Sequence, residues 1–240
     1  GATTLTSTGG GNITANNVGN NFNGDLILST SGSVSIVDSN ALALGASSVG
    51  TLTAQTLAGN LTLNGTITAS GSGDSIVLAA AQDFVNNVGS SVLNPGAGRW
   101  LVYSTSPAGS TENGLTGVAG STLPRLYNCT YTGPCGVTIP SGNHLIYSAQ
   151  PALTVTPDNK TKVYGTDDPA QTYLASGYVS DDGVTDTAVT AGLTGSFGRV
   201  VGETVVSSPY NITQGTFASD AGYSISFTAG QTLAITAAPL

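Results

Sequence analysis

Few side chains in this chain of 240 residues could do chemistry, and they are scattered. The single histidine, His144, lies in SGNHLIYS. Nucleophilic catalysis of the Ser/His type would have to run through it. No carboxylate stands near it in sequence, and a Gly-Asn turn beside a strand suits a turn or capping role. Carboxylates pair at Asp167-Asp168 and Asp181-Asp182, with Asp186 close by. A hard cation such as Ca²⁺ takes about six to eight oxygens, which makes Asp167, Asp168, Asp181 and Asp182 the candidate metal ligands. Against this, Asp before Pro or Gly is ordinary turn chemistry, and neither run alternates acids up to a closing Glu. The expectation is therefore no cofactor, with Ca²⁺ the one metal worth testing.

Cys129 and Cys135 flank a Gly-Pro turn in NCTYTGPCG. The turn favours a disulfide and hence an oxidising, extracytoplasmic setting. Half of a zinc site and two free thiols are the alternatives, and with only His144 to add, a zinc site is one ligand short. Trp100, Tyr103, Tyr127 and Tyr131 are close in sequence. Such rings stack on apolar sugar faces and are candidate glycan contacts, although core and cap packing is their commoner use. Asn12, Asn60, Asn64, Asn128, Asn159 and Asn211 head N-x-Ser/Thr sequons and are candidate glycosylation sites.

β-Helical polysaccharide lyases and hydrolases need clustered acids, commonly with Arg or Lys on one face. Residues 1–98 offer Asp25, Asp38, Asp74 and Asp83 and no base, so catalysis is not expected. The net charge of −8, with Arg99, Arg125, Lys160, Lys162 and Arg199 dispersed, speaks against nucleic acid. No apolar run approaches the ~18 residues of a membrane span, and no signal-peptide pattern opens the chain. Methionine is absent even at position 1, so the chain is expected to be a piece cut from a longer protein.

What positions these residues must be almost entirely β-structure. Thirty-three Gly, with abundant Thr, Asn and Ser, disfavour helices. Through residues 1–98, apolar pairs spaced by one residue recur at Leu26/Leu28, Val34/Ile36, Leu42/Leu44, Leu61/Leu63 and Ile76/Leu78, mostly bounded by Gly or Asn. The units ALALG and GNLTLNG lie about 19 residues apart, a period typical of solenoids. Only 5 basic and 13 acidic residues occur in the chain. That scarcity suits a stack in which equivalent positions repeat every ~4.8 Å, because like charges at that spacing cost about 1 kcal/mol per pair even in water. A parallel β-solenoid is thus favoured over an antiparallel sandwich, which the same alternation permits. Residues 99–150 hold the only Trp, four of the ten Pro and both Cys, and read as a junction capping the last coil. Residues 151–240 read as a separate small β-sandwich-like domain with turns at DDP, SDDG, SSP and SDAG. The end ITAAPL echoes the beginning AQPALTVTP, which points to the first unit of a tandem array.

The segment LTVTPDNKTKVYGTDDPAQTY, with YNITQGTF and YSISFTAGQTLAITAAPL, resembles the MBG ("mostly beta, glycine-rich") domain across 153–240, most sharply in K-V-Y-G-x-x-D-P. GRWLVYSTSP and the upstream GNLTLNGTITAS units are similar to those of filamentous-haemagglutinin-type exoproteins of two-partner secretion. The resemblance implies a right-handed parallel β-helical stalk followed by tandem modules. It implies an adhesin at the bacterial cell surface or in the extracellular matrix, exported through an outer-membrane transporter, with roles in attachment, aggregation or biofilm. No catalytic residues come with it. The expected function is a structural segment of such an adhesin or fibre, with self-association and a polysaccharide or cell-surface ligand as expected partners. A glycan-binding module is the first alternative, a β-helical lyase or hydrolase the second.

Overall fold

Alternating apolar pairs pair with their own repeats. In the computed structural model, which describes residues 1–239, Leu42–Leu44 lies parallel to Leu61–Leu63, with Leu42 beside Leu61 nineteen residues on. Leu61–Leu63 in turn lies parallel to Phe84–Asn86. A second set runs Ser47–Val49, Ile67–Ala69, Leu93–Asn94. A third runs Ser33–Asp38, Thr51–Thr56, Asp74–Ala79, Arg99–Ser104. From Leu61 onward each turn of chain therefore lays three short strands against the three of the turn before, whereas Leu42–Leu44 and Ser47–Val49 both pair with the single strand Asp25–Ser29. These parallel sheets fit a β-helix, and no hairpin pairs any strand within residues 1–98.

Period-two burial follows from the pleat. Val34, Leu52, Ile76 and Trp100 form one inward column, and Leu26, Leu44 and Leu63 another, all at 0–2% exposure. Burying each such side chain contributes about 1.5–3 kcal/mol. Corners between strands are tight: a Cβ on Gly65 would stand 2.1 Å from the Ala46 backbone nitrogen, and one on Gly50 2.3 Å from the Ser31 carbonyl oxygen. Outward polar positions bond along the stack, as Asn87 Nδ2 donates to Asn64 Oδ1 (2.8 Å) and Asn64 Nδ2 to Asp25 Oδ1 (2.7 Å).

The last turns are buried on both faces, so they read as unbroken apolar runs. His144–Tyr147 pairs parallel with Arg99–Ser104, and the two-residue strand Arg125–Leu126 pairs with its other edge. In space, 144–147 thus sits between two strands that precede it in sequence. Leu101, Leu126, Cys129 and Ile146 form a small second core on the outer face, with Leu123, Val137 and Ile139 of the covering loop against it. A very short outermost strand is one way folds blunt an edge.

Two compact units emerge. The first is Gly1–Ala149 together with Ser180–Thr185; the second is Gln150–Val179 with the chain from Asp186 onward. In the second unit the pairing is mixed, unlike that of an ordinary antiparallel sandwich. Ala152–Pro157 lies parallel to Ser224–Phe227 and antiparallel to Tyr173–Ser176. Lys160–Val163 lies parallel to Thr232–Thr236, which continues antiparallel to Tyr210–Thr213 and so to Gly198–Arg199. Leu153, Val155, Ile212, Leu233 and Ile235 point inward. Strand Tyr210–Thr213 ends where the chain nears Gly215, which turns it at φ 58°.

Candidate functional site

In the first unit, the residues expected to meet a ligand divide into two groups. Trp100 is 1% exposed in the interior column and its backbone N–H donates to Asn143 Oδ1 (2.8 Å). Tyr127 is fully buried and stacks on Tyr147 with ring centroids 5.9 Å apart. As glycan contacts both are corrected, since neither ring face reaches solvent. Tyr103 and Tyr131 are half-buried, 5.3 Å apart and tilted by 59°. They line a cavity of about 260 Å³ with Gln55, Ala79, Thr105 and Cys129. Burial, and next the Asp74 charge, push the Tyr103 hydroxyl above its ordinary pKa, so it stays protonated and able to donate.

The loop carrying Tyr131 is closed by the Cys129–Cys135 disulfide, with S–S 2.05 Å. Thr130 N–H also bonds the Pro134 carbonyl (2.9 Å), and Gly136 N–H the Asn128 carbonyl (2.7 Å). Asn128 takes φ 58°, a left-handed conformation that Asn tolerates better than most residues.

Beneath lies a polar core that sequence reasoning missed. Glu112 and Arg125 are 1% and 0% exposed and pair through two bonds, Nε to Oε1 at 2.7 Å and Nη2 to Oε2 at 2.8 Å. The Tyr147 hydroxyl donates to Oε1 (2.6 Å) and Thr116 Oγ1 to Oε2. Arg125 then reaches the hairpin Ser180–Thr185, donating to the carbonyls of Asp181 (3.0 Å) and Val184 (3.1 Å), while Asn113 N–H bonds Asp182 Oδ2. Burial, then the Glu112 carboxylate, hold the Tyr147 hydroxyl far above its usual range. Burial, then Glu112, also raise the Asp181 carboxyl. Only one cue was present in sequence: Arg125 as a lone charge inside the apolar LPRLY.

In the second unit, Lys162, Asp168, Arg199 and Glu203 form a closed ring of ion pairs. Lys162 Nζ bonds Asp168 (2.7 Å) and Glu203 (2.8 Å), and Arg199 bonds Asp168 (2.5 Å) and Glu203. Arg199, then Lys162, hold the Asp168 carboxyl at a pKa of about 2. Asp167 and Asp168 fall in this unit and Asp181 and Asp182 in the first. Among the described residues, no group of three or more His, Cys, Asp or Glu is placed to hold a metal.

The acids of 1–98 are engaged structurally. Asp25 ends the Asn ladder, and Asp38 accepts the backbone N–H groups of Phe22 and Asn40. Asp74 pairs with Arg99 and Asp83 accepts from Thr105 Oγ1. His144 is a buried strand residue, not a turn residue. Its Nδ1 lies 2.8 Å from the Leu123 carbonyl oxygen and its Nε2 3.1 Å from that of Pro140. Of the sequon residues, Asn12, Asn64, Asn159 and Asn211 are exposed, while Asn60 and Asn128 are half-buried.

The fold and these sites define an all-β protein whose parallel sheets fit a β-helix, with a disulfide-closed loop and a small unit of mixed pairing. Residues 153–233, about a third of the chain, match the family model for the MBG domain (YGX type), and that range contains Tyr164-Gly165-Thr166. No curated protein and no solved structure matches the chain. MBG domains are found in bacterial surface proteins, which agrees with an adhesin-like structural role and a secreted or cell-surface location. Among the described residues no helix is long and apolar enough to cross a membrane.

Proposed function

We propose that this chain is a structural segment of a secreted or cell-surface bacterial adhesin or extracellular fibre. Its coils form a right-handed parallel β-helix of the filamentous-haemagglutinin type, its residues 99–150 cap that helix, and its MBG module is the first of a tandem array. The parent protein leaves the cell through an outer-membrane transporter of a two-partner system and serves attachment, aggregation or biofilm. The segment acts by presenting what it carries, without catalysis. One observation carries this reading: a parallel register, bulged between Asp74 and Ile76 but kept from turn to turn, with apolar columns such as Val34–Leu52–Ile76–Trp100, which stabilises a stalk with almost no charge.

The test uses antiserum against the chain on intact, non-permeabilised bacteria that express the parent protein, together with attachment and aggregation assays on a strain lacking residues 1–149. Surface labelling with loss of attachment is expected. Labelling only after permeabilisation would overturn the proposal.

A second reading, a glycan-binding module, is favoured by the cavity at Tyr103 and Tyr131. A glycan array should then show hits that Tyr131→Ala removes; hits that survive the substitution would dismiss that cavity.

A further inference from the structure

Strand Tyr173–Ser176 is an outer strand of the three-stranded sheet in the second unit. Ala152–Pro157 lies on one side of it and, among the described residues, no strand lies on the other. The register fixes which backbone groups face outward. Leu174 stands opposite Thr156, and Asp158 N–H bonds the Thr172 carbonyl (2.9 Å), so residues 172, 174 and 176 direct their N–H and C=O groups at the inner neighbour. Those of Tyr173 and Ala175 point the other way, toward the open edge.

Native sheets blunt such an edge with Lys, Pro or a bulge. The four-stranded sheet of this unit is protected in that way, since its outer strands Lys160–Val163 and Gly198–Arg199 carry Lys160, Lys162 and Arg199. Tyr173–Ser176 has no such device. Residues 169–179 contain no charge, the strand keeps its register without a bulge, and Leu174 is 74% exposed on the solvent face. The opposite outer strand of the same sheet, Ser224–Phe227, exposes no large apolar side chain.

Register and charge together choose the occupant. In an antiparallel pairing with a second copy, Tyr173 of each chain meets Ala175 of the other in a hydrogen-bonded pair. Leu174 then stands opposite Leu174 of the second copy, at the intervening position where Cα atoms approach to about 4.5 Å and side chains are closest. The one large exposed side chain of the strand is covered by its own equivalent. A net charge of −8 sets copies against each other in general, but this edge is neutral: Lys160 and Asp158, which share the Thr172 hydroxyl, offset one another. Such a two-fold contact closes on itself and gives dimers, not filaments.

We propose that two copies of this chain associate through the Tyr173–Ser176 edge, antiparallel about Leu174, and so join their three-stranded sheets into one. This supplies a surface for the aggregation in the proposed function and in that respect rests on it. The measurement is made in solution, so it fails separately from surface labelling of bacteria.

The test is sedimentation velocity with amide-shift mapping of the full chain at neutral pH, up to about 1 mM, because so short an edge makes a weak contact. The mean sedimentation coefficient is expected to rise with concentration while the amides of residues 172–177 shift. Leu174→Lys sets like charges opposite each other and should weaken association about tenfold or more, with an unchanged melting midpoint because the side chain is exposed. Cysteine variants read the register. Under mild oxidation Leu174→Cys should link readily to its own copy, since about 4.5 Å is within disulfide reach. Ser176→Cys, about 13 Å from its equivalent in this register, should link only by random encounter. The same holds for Val201→Cys, 95% exposed on another segment. A chain that stays monomeric throughout, whether or not a strand of another protein takes the edge, would overturn the proposal. So would association untouched by Leu174→Lys, shifts confined to other residues, or Leu174→Cys linking no faster than Val201→Cys.

Discussion

Replacing Arg125 with Met keeps most of the side-chain volume and removes the cation. It leaves the Glu112 carboxylate, 1% exposed, with the Tyr147 and Thr116 hydroxyls as donors but no cation from Arg125, and takes a donor from the Asp181 and Val184 carbonyls. Removing one partner of a buried pair costs about 3–5 kcal/mol, mainly because the other charge stays behind without compensation. For a unit of this size each kcal/mol lowers the melting midpoint by about 2–4 °C, so Arg125→Met should lower it on the order of 10–15 °C. Differential scanning calorimetry of the full chain at neutral pH reads the shift. Adding Glu112→Gln should restore much of the loss, since the amide still accepts from Tyr147 and no charge remains. A shift under about 3 °C, or a double variant as unstable as the two losses added together, would refute the account of this core.

Other outcomes follow from the same geometry. Leu52→Ala, at 0% exposure in the Val34–Leu52–Ile76–Trp100 column, should cost about 2–5 kcal/mol in urea denaturation, whereas Thr53→Ala on the outward face should stay within about 0.5 kcal/mol. Opening the six-residue loop with Cys129→Ser and Cys135→Ser should cost about 2 kcal/mol by the chain-entropy relation, and an unchanged midpoint would contradict it. Asp168 titrates at about 2 when folded, below its ordinary 3.8. Its contribution is therefore present above pH ~4 and lost as pH falls toward ~2, because there the unfolded chain binds the extra proton. Glu203, also lowered, acts in the same direction. Acid titration of the second unit, followed by near-ultraviolet circular dichroism, should show this loss, and Asp168→Asn should flatten it.

The coils were legible because their signal is local and repeated: Leu42/Leu44 and Leu61/Leu63 announce both the alternation and the nineteen-residue step that the pairing shows. The MBG module was legible from a sharp motif around Tyr164-Gly165. What escaped lacks periodicity. Strands of two residues, such as Ser180–Asp181 and Leu193–Thr194, are too short to display alternation. Glu112 and Arg125 meet through a chain path with no fixed spacing. Aromatic residues mislead differently. Trp100 and Tyr131 are both aromatic, but Trp100 continues an inward column of a strand while Tyr131 rides on the disulfide-closed loop, where no pleat sets which way it faces.

Strand 144–147 enters between neighbours that were both made before it. A chain growing or emerging from its N-terminus can lay each earlier turn on a finished template, but after Ser104 it meets a vacancy that nothing fills until Tyr147 arrives. Over that interval of some forty residues, the Trp100–Ser104 edge stays open, a window during which a passing strand from another molecule could take the seat. Interrupting the chain within that interval should give sticky intermediates, whereas interruption just beyond Tyr147 should not.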